Sequence, residues 1–236
     1  MKPNKKQTCR SDLIQRILML EIEPGSVLDE TALSSEYELS RTPLREVFQR
    51  LAGEGYLALE ENRGAKVSSM DFTSMRNFFQ TAPMIYAAVA RLATENANNR
   101  QIDRLKNAQL NFRLAGTHGN ANEMVMNNHA FHECIGEMAA NPYLTPSLNR
   151  LLIDHTRMSQ FFYRPANEDE RALVIKASDQ HDQMIAAIEN RQPAVIVDLT
   201  LEHWALSRDS IERFVRPDPL PVDGDFEYQE EDRHAV

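Results

Sequence analysis

Apolar residues recur three and four positions apart along most of this chain, the spacing that lines one face of an α-helix. Glycine is scarce, at 8 of 236 residues, and alternating β-branched runs are rare, so the chain reads as mainly α. The stretch 11–20 carries Leu13, Ile14, Ile17, Leu18 and Leu20, and Glu23, Pro24 and Gly25 follow as a turn signal. A second short helix is expected over 30–37, with Leu33 inward. A third begins at Ser40, a favoured N-cap, and tolerates Pro43 in its first turn. It presents Leu44, Val47, Phe48 and Leu51 on one face and ends at Gly53/Gly55. Over 56–67 the period changes: Leu57 and Leu59, then Ala65 and Val67, alternate around a polar turn at 60–64, which predicts a small β-hairpin. From about Asp71, longer amphipathic helices are expected near 72–98, 101–116, 121–139, 143–163, 168–190 and 193–214. From Arg216 the chain is proline-rich and acidic, the composition of a disordered tail. The pattern divides the chain into 1–71, 72–215 and 216–236.

Composition narrows the class. A hydrophobic fraction of 42% and a charged fraction of 26% are ordinary for a globular protein. No apolar run approaches the roughly 20 residues that span a bilayer, so no membrane role is expected. The basic N-terminus lacks the apolar stretch of a secretory signal. Two cysteines, Cys9 and Cys134, make no disulfide framework, and a cytoplasmic setting is expected. The net charge of −9 speaks against nucleic acid until it is divided by segment. Residues 1–71 carry ten basic and twelve acidic side chains, and the tail from Arg216 alone contributes −5. Within 40–50, three arginines stand against one glutamate.

Three short helices and a hairpin in about 60 residues match a winged helix-turn-helix, whose third helix enters the major groove. Arg41 and Arg45 lie four apart on one face of that helix, where a guanidinium can grip guanine or phosphate. Ser40 and Thr42 stand at the helix start, where hydroxyls and free N–H groups favour phosphate. Arg63 and Lys66 flank Gly64 in the expected wing. The run LSSEYELSRTPLREVFQRLAGEGYLALEENRGAKV resembles the DNA-binding domain of GntR-family bacterial regulators. The helices after it resemble the FCD effector domain of the FadR-like subfamily, and six of them would suit its shorter VanR-like branch. The resemblance implies a ligand-responsive regulator that binds double-stranded operator DNA as a homodimer. It implies DNA contacts at Ser40, Arg41, Thr42, Arg45, Arg63, Gly64 and Lys66.

Five of the seven histidines fall on the long predicted helices. His132 follows Asn128 by one turn and shares its inward face; His155, His181 and His203 lie on or beside apolar stripes of three later helices. His129 is rotated away and less favoured. A buried polar group without a partner costs on the order of 1–3 kcal/mol, so four inward histidines point to a shared polar cavity or a bound metal. The FCD resemblance implies a divalent transition metal, zinc or nickel, held by Asn128, His132, His181 and His203. Asn128 stands where that family carries aspartate, which implies a weaker, exchangeable site. The resemblance also places an effector-binding arginine in the first effector-domain helix, but Ala82 and Tyr86 occupy the matching Arg-x-x-x-Glu positions, and Pro83 should kink that helix. Tyr86, His155 and Arg157 remain as effector-contact candidates. The residues leave two further readings open: an all-α metal-dependent enzyme using the histidines, and an interaction module whose inward polar groups only specify packing.

Overall fold

The computed structural model describes residues 4–60 and 64–215. Arg63 and the acidic tail with His234 lie outside the described residues. Helices α1 (Lys5–Leu18), α2 (Glu30–Glu36) and α3 (Arg41–Glu54) precede the antiparallel strands β1 (Leu57–Glu60) and β2 (Gly64–Val67). Six helices follow: α4 (Phe72–Asn96), α5 (Asn99–Thr117), α6 (Ala121–Ala139), α7 (Leu144–Phe162), α8 (Glu168–Glu189) and α9 (Pro193–Val215). The architecture is a winged helix-turn-helix followed by a helical C-terminal domain, as the periodicity indicates.

α1 starts six residues before the expected position. Its first turns read as polar, yet Asn4 caps Lys6 N–H, Cys9 is buried, and Lys6 and Arg10 form ion pairs with Glu46 and Glu54 of α3 at 2.6 Å each. Asp29 caps α2 through Thr31 and Ala32 N–H. Leu13, Ile17, Leu33, Leu44, Phe48 and Leu51 pack into one N-terminal core that also takes in Leu57 and Val67 of the hairpin. The hairpin has a third, shorter edge that the alternation did not reveal. Gly25 N–H donates to Val67 O at 3.0 Å, Leu28 N–H donates to Ala65 O at 2.8 Å, and Val27 bridges to Lys66.

α3 ends at Gly55, whose φ of +91° belongs to the left-handed region. A Cβ there would fall 2.3 Å from Arg150 Cδ of α7, so strain and collision coincide. Gly55→Ala is expected to destabilise the chain by about 1–2 kcal/mol. Urea denaturation would measure it.

In the C-terminal domain, α4 packs against α6, α7 and α9. It is continuous through Pro83, and Asp71 caps it through Ser74 N–H at 2.8 Å. Phe78, Ala93, Leu105, Phe131, Met138 and Ile188 are among the residues of the shared core. α7 is buried on more than one face: nine successive residues, from Leu152 to Gln160, are buried. One side of it packs on the bundle, and the other meets α1 and the 68–71 linker. Gln160 Nε2 donates to Leu18 O at 3.2 Å, and Arg157 donates to Ser68 O and Ser68 Oγ at 2.8 Å each.

Candidate functional site

The first site is the start of α3. Ser40 occupies the N-cap but makes no capping hydrogen bond, which leaves its hydroxyl and the first-turn N–H groups available. Ser40, Arg41, Thr42 and Arg45 are all exposed, because Leu44, Val47, Phe48 and Leu51 take the opposite face into the core. Among the described residues Arg45 has one ion pair, with Glu30 at 3.4 Å and its own side chain largely exposed, and Arg41 has none. Gly64 opens β2 at φ +80° with open space around its Cα. Lys66 sits in mid-strand opposite Ala58, half-buried, and its ammonium lies 3.9 Å from Glu60 at the tip end of β1.

The second site lies inside the bundle. α6, α8 and α9 bring His132, His181 and His203 together so that one ring nitrogen of each lies within 4.8 Å of the others. Their side chains are 5%, 0% and 8% exposed. Gln109 fixes the state of His181. Its Nε2 donates to Ser178 O at 2.8 Å, so its Oε1 faces His181 Nδ1 at 3.0 Å and accepts from it. His181 Nε2 then carries a lone pair, and among the described residues neither it nor His132 Nε2 has a hydrogen-bond partner. Gln180 Oε1 holds His203 Nδ1 in the same way at 3.1 Å. Burial pushes all three imidazoles down from the ordinary histidine range, His203 to about 4, and neighbouring histidines depress His132 and His181 further. The cluster is therefore neutral near pH 7, the form that ligates a metal.

Asn128 is 1% exposed, and neither its Oδ1 nor its Nδ2 has a partner. Buried polar atoms of Asn128, His132 and His181 that lack a partner among the described residues, with His203 beside the two histidines, fit the donor chemistry of a divalent transition metal. The three histidines stand together as the spacing predicts, and Asn128 lies one helical turn before His132 on the same helix. His155 comes close to His132, with ring centroids 4.8 Å apart, but its Nδ1 is engaged by Tyr86 OH at 2.9 Å. Tyr86, His132, His203 and Trp204 line a small cavity of about 10 Å³, room for one water-sized body.

Arg157 corrects the expectation of an effector-binding cation. It is fully buried, but its guanidinium turns away from the histidines toward the linker. It pairs with Asp154 at 2.5 Å and bonds Ser68 twice, so it is already engaged. His129, disfavoured in sequence, is half-buried and bonds Thr156 Oγ1 at 2.7 Å. Gln109 and Gln180 were missed. The signal available for Gln109 was an amide lying between Leu105 and Phe112 on an inward stripe.

Comparison with known proteins decides the family. The FCD domain matches residues 79–206, more than half of the chain, and the gntR family of bacterial regulatory proteins matches residues 5–67. The chain belongs to the GntR family of transcriptional regulators. This GntR-family chain is 24% identical over 193 residues to the Nta operon transcriptional regulator of Aminobacter aminovorans, covering 82% of this chain and 88% of that protein. It is 23% identical to the HTH-type transcriptional repressor RspR of Escherichia coli K12, covering 80% and 81%. E. coli McbR/YncC shares the fold at a TM-score of 0.75 and 16% identity, over 90% of this chain and 99% of that one. These relatives are named as regulators, and the enzyme reading finds no support among them. No helix among the described residues is long and apolar enough to cross a membrane.

Proposed function

We propose that this regulator binds operator DNA as a homodimer and answers to a small-molecule effector bound beside a divalent metal in the bundle. The observation that carries the sensing half is the buried histidine cluster, with polar atoms of Asn128, His132 and His181 that lack a partner among the described residues. Asn128, His132, His181 and His203 would hold zinc or nickel, and the bound ion would supply Lewis-acid coordination for an oxygen donor of the effector. Tyr86 lines the cavity and His155 hydrogen-bonds it from behind; the cavity of about 10 Å³ would have to open to admit an effector beside the ion, and these two side chains would then orient it. The six C-terminal helices fit the VanR-like branch. A boundary near Asp71 would separate reader from sensor, and a cytoplasmic setting accords with DNA as the target. The exposed Leu110 and Leu114, one turn apart on α5, suit a self-complementary dimer face.

The reading half rests on the exposed arginines of α3. Ser40, Arg41, Thr42 and Arg45 would meet the major groove and its phosphates, while the wing with Arg63, Gly64 and Lys66 would lie along the backbone. Arg41→Ala and Arg45→Ala are each expected to weaken binding to a selected operator by about 1–3 kcal/mol without altering the fold. Fluorescence anisotropy against specific and scrambled duplexes would check it, and unchanged affinity and selectivity would remove these residues from the interface.

Asn128 supplies a test of the sensor. An amide oxygen ligates without charge, so Asn128→Asp is expected to tighten nickel or zinc binding by about tenfold or more. The His132/His181/His203 triple alanine should retain no metal after dialysis. Equal metal content in wild type and triple variant, measured by plasma mass spectrometry, would refute the site.

A further inference from the structure

A second cavity lies away from the histidine cluster. A cleft of about 970 Å³ opens between the C-terminal end of α3 and the facing stretches of α6 and α7. That is the size of a small-metabolite site. Its α6 wall carries His129 and Glu133, one helical turn apart. Thr156 Oγ1 donates to Leu152 O at 2.7 Å, so it accepts from His129 Nδ1. The second nitrogen of His129, Nε2, therefore keeps its lone pair. Glu133 has no ion pair among the described residues, and its neighbour Glu137 is taken by Arg104 at 2.6 Å.

The α7 wall carries the opposite imbalance. Arg150 and Arg157 share one carboxylate, Asp154, at 3.1 and 2.5 Å, which leaves a positive charge uncompensated. Arg157 is buried behind that wall, whereas Arg150 lines the cleft with its side chain 45% exposed. Across the cleft, Arg10 of α1 pairs with Glu54 of α3 at 2.6 Å, and Glu54 also takes Arg50 at 3.2 Å, so no free carboxylate is left on that side by these residues. Glu133, without an ion pair among the described residues, and Arg150, which shares its one carboxylate, thus face the same cleft and do not meet as an ion pair. Among the described residues, only His132, His181 and His203 stand close enough to chelate an ion, so the cleft suits an extended organic ligand.

We propose that this cleft binds a small zwitterion, with its ammonium at Glu133 and His129 Nε2 and its carboxylate at Arg150. The site does not use the metal cluster. Its other wall includes Gly53, Gly55 and Tyr56 at the end of the DNA-facing helix, so an occupant touches the reader and the bundle at once. Such a ligand biases DNA binding to the extent that it prefers one arrangement of the two parts.

Isothermal titration of the full chain with glycine, 4-aminobutyrate and 6-aminohexanoate, against propylamine and butyrate, tests it. At least one amino acid is expected to bind about tenfold or more tighter than either monofunctional probe. Glu133→Gln and Arg150→Met should each weaken that binding about tenfold, with melting curves confirming that the variants fold. Should Arg150→Met fail to fold, Glu133→Gln decides alone, since Glu133 contributes no ion pair to the fold. Absence of binding by all three amino acids, equal binding of the monofunctional probes, or binding unmoved by Glu133→Gln would overturn the proposal.

Discussion

Metal-free protein taken from about pH 7.5 to about pH 5 is expected to lose its C-terminal bundle, well before carboxylate protonation unfolds ordinary proteins. Burial holds five imidazoles down from the usual range: His129 and His203 to about 4, His155 to about 3, and His132 and His181 also well below it. In the unfolded chain all five titrate near ~6.5. Below that value the unfolded state binds more protons than the folded state, so stability falls as pH falls. The loss begins near ~6.5 and continues toward the folded values. Each group contributes up to about 1.4 kcal/mol per pH unit, and five together reach on the order of 10 kcal/mol by about pH 5. That is comparable with a whole domain's stability of roughly 5–15 kcal/mol. Trp204, the single tryptophan, lies with its ring centroid 5.0 Å from that of His155 and reports the event by fluorescence. If the proposed cluster holds nickel in the folded state, added nickel should move the midpoint to lower pH. A midpoint below about pH 4, or one insensitive to His155→Gln, would show that these histidines do not govern acid stability.

What the sequence discloses and what it hides differ for a physical reason. The histidine cluster is legible because each member lies on a helix with one apolar stripe, so inward position follows from spacing alone. The wing is legible because a period of two interrupts a period of 3.6. α7 is different. From Leu152 to Gln160 every residue is buried, because one side of the helix meets the bundle and the other meets α1 and the linker. A helix wedged between two bodies has no solvent face, and its periodicity cannot say which body a side chain addresses. Spacing alone therefore leaves Arg157, two residues from His155, as an effector-contact candidate, whereas its guanidinium reaches Ser68. Gln109 and Gln180 were hidden for a related cause. An amide on an inward stripe is compatible with many partners, and only the folded chain shows that each holds a histidine.

Arg157→Met is expected to lower stability by about 3–5 kcal/mol, the cost of breaking a buried pair from one side. Arg157 is 0% exposed, and its donors reach Ser68 O, Ser68 Oγ and Asp154, at 2.8, 2.8 and 2.5 Å. Removing it leaves the half-buried acceptors of Ser68 short of a donor and the buried Asp154 dependent on the half-exposed Arg150. Methionine fills most of the volume, so the loss reads the polar network rather than a cavity. Lysine in its place keeps the charge but not the forked geometry that spans serine and aspartate, and should recover only part of the loss. Asp154→Asn strands the guanidinium instead, whereas the double variant Arg157→Met, Asp154→Leu removes both charges and should lie nearer the wild type than either single change. The linker contact also sets a signature that a merely local packing defect would lack. Ser68 ties the wing to α7, so its release should separate unfolding of the N-terminal core from that of the bundle and replace one urea transition by two. Fluorescence of Trp204 reports the bundle, and far-ultraviolet dichroism reports both parts. Coincident transitions in the variant, or a loss under about 1 kcal/mol, would mean that Arg157 does not hold the reader to the sensor.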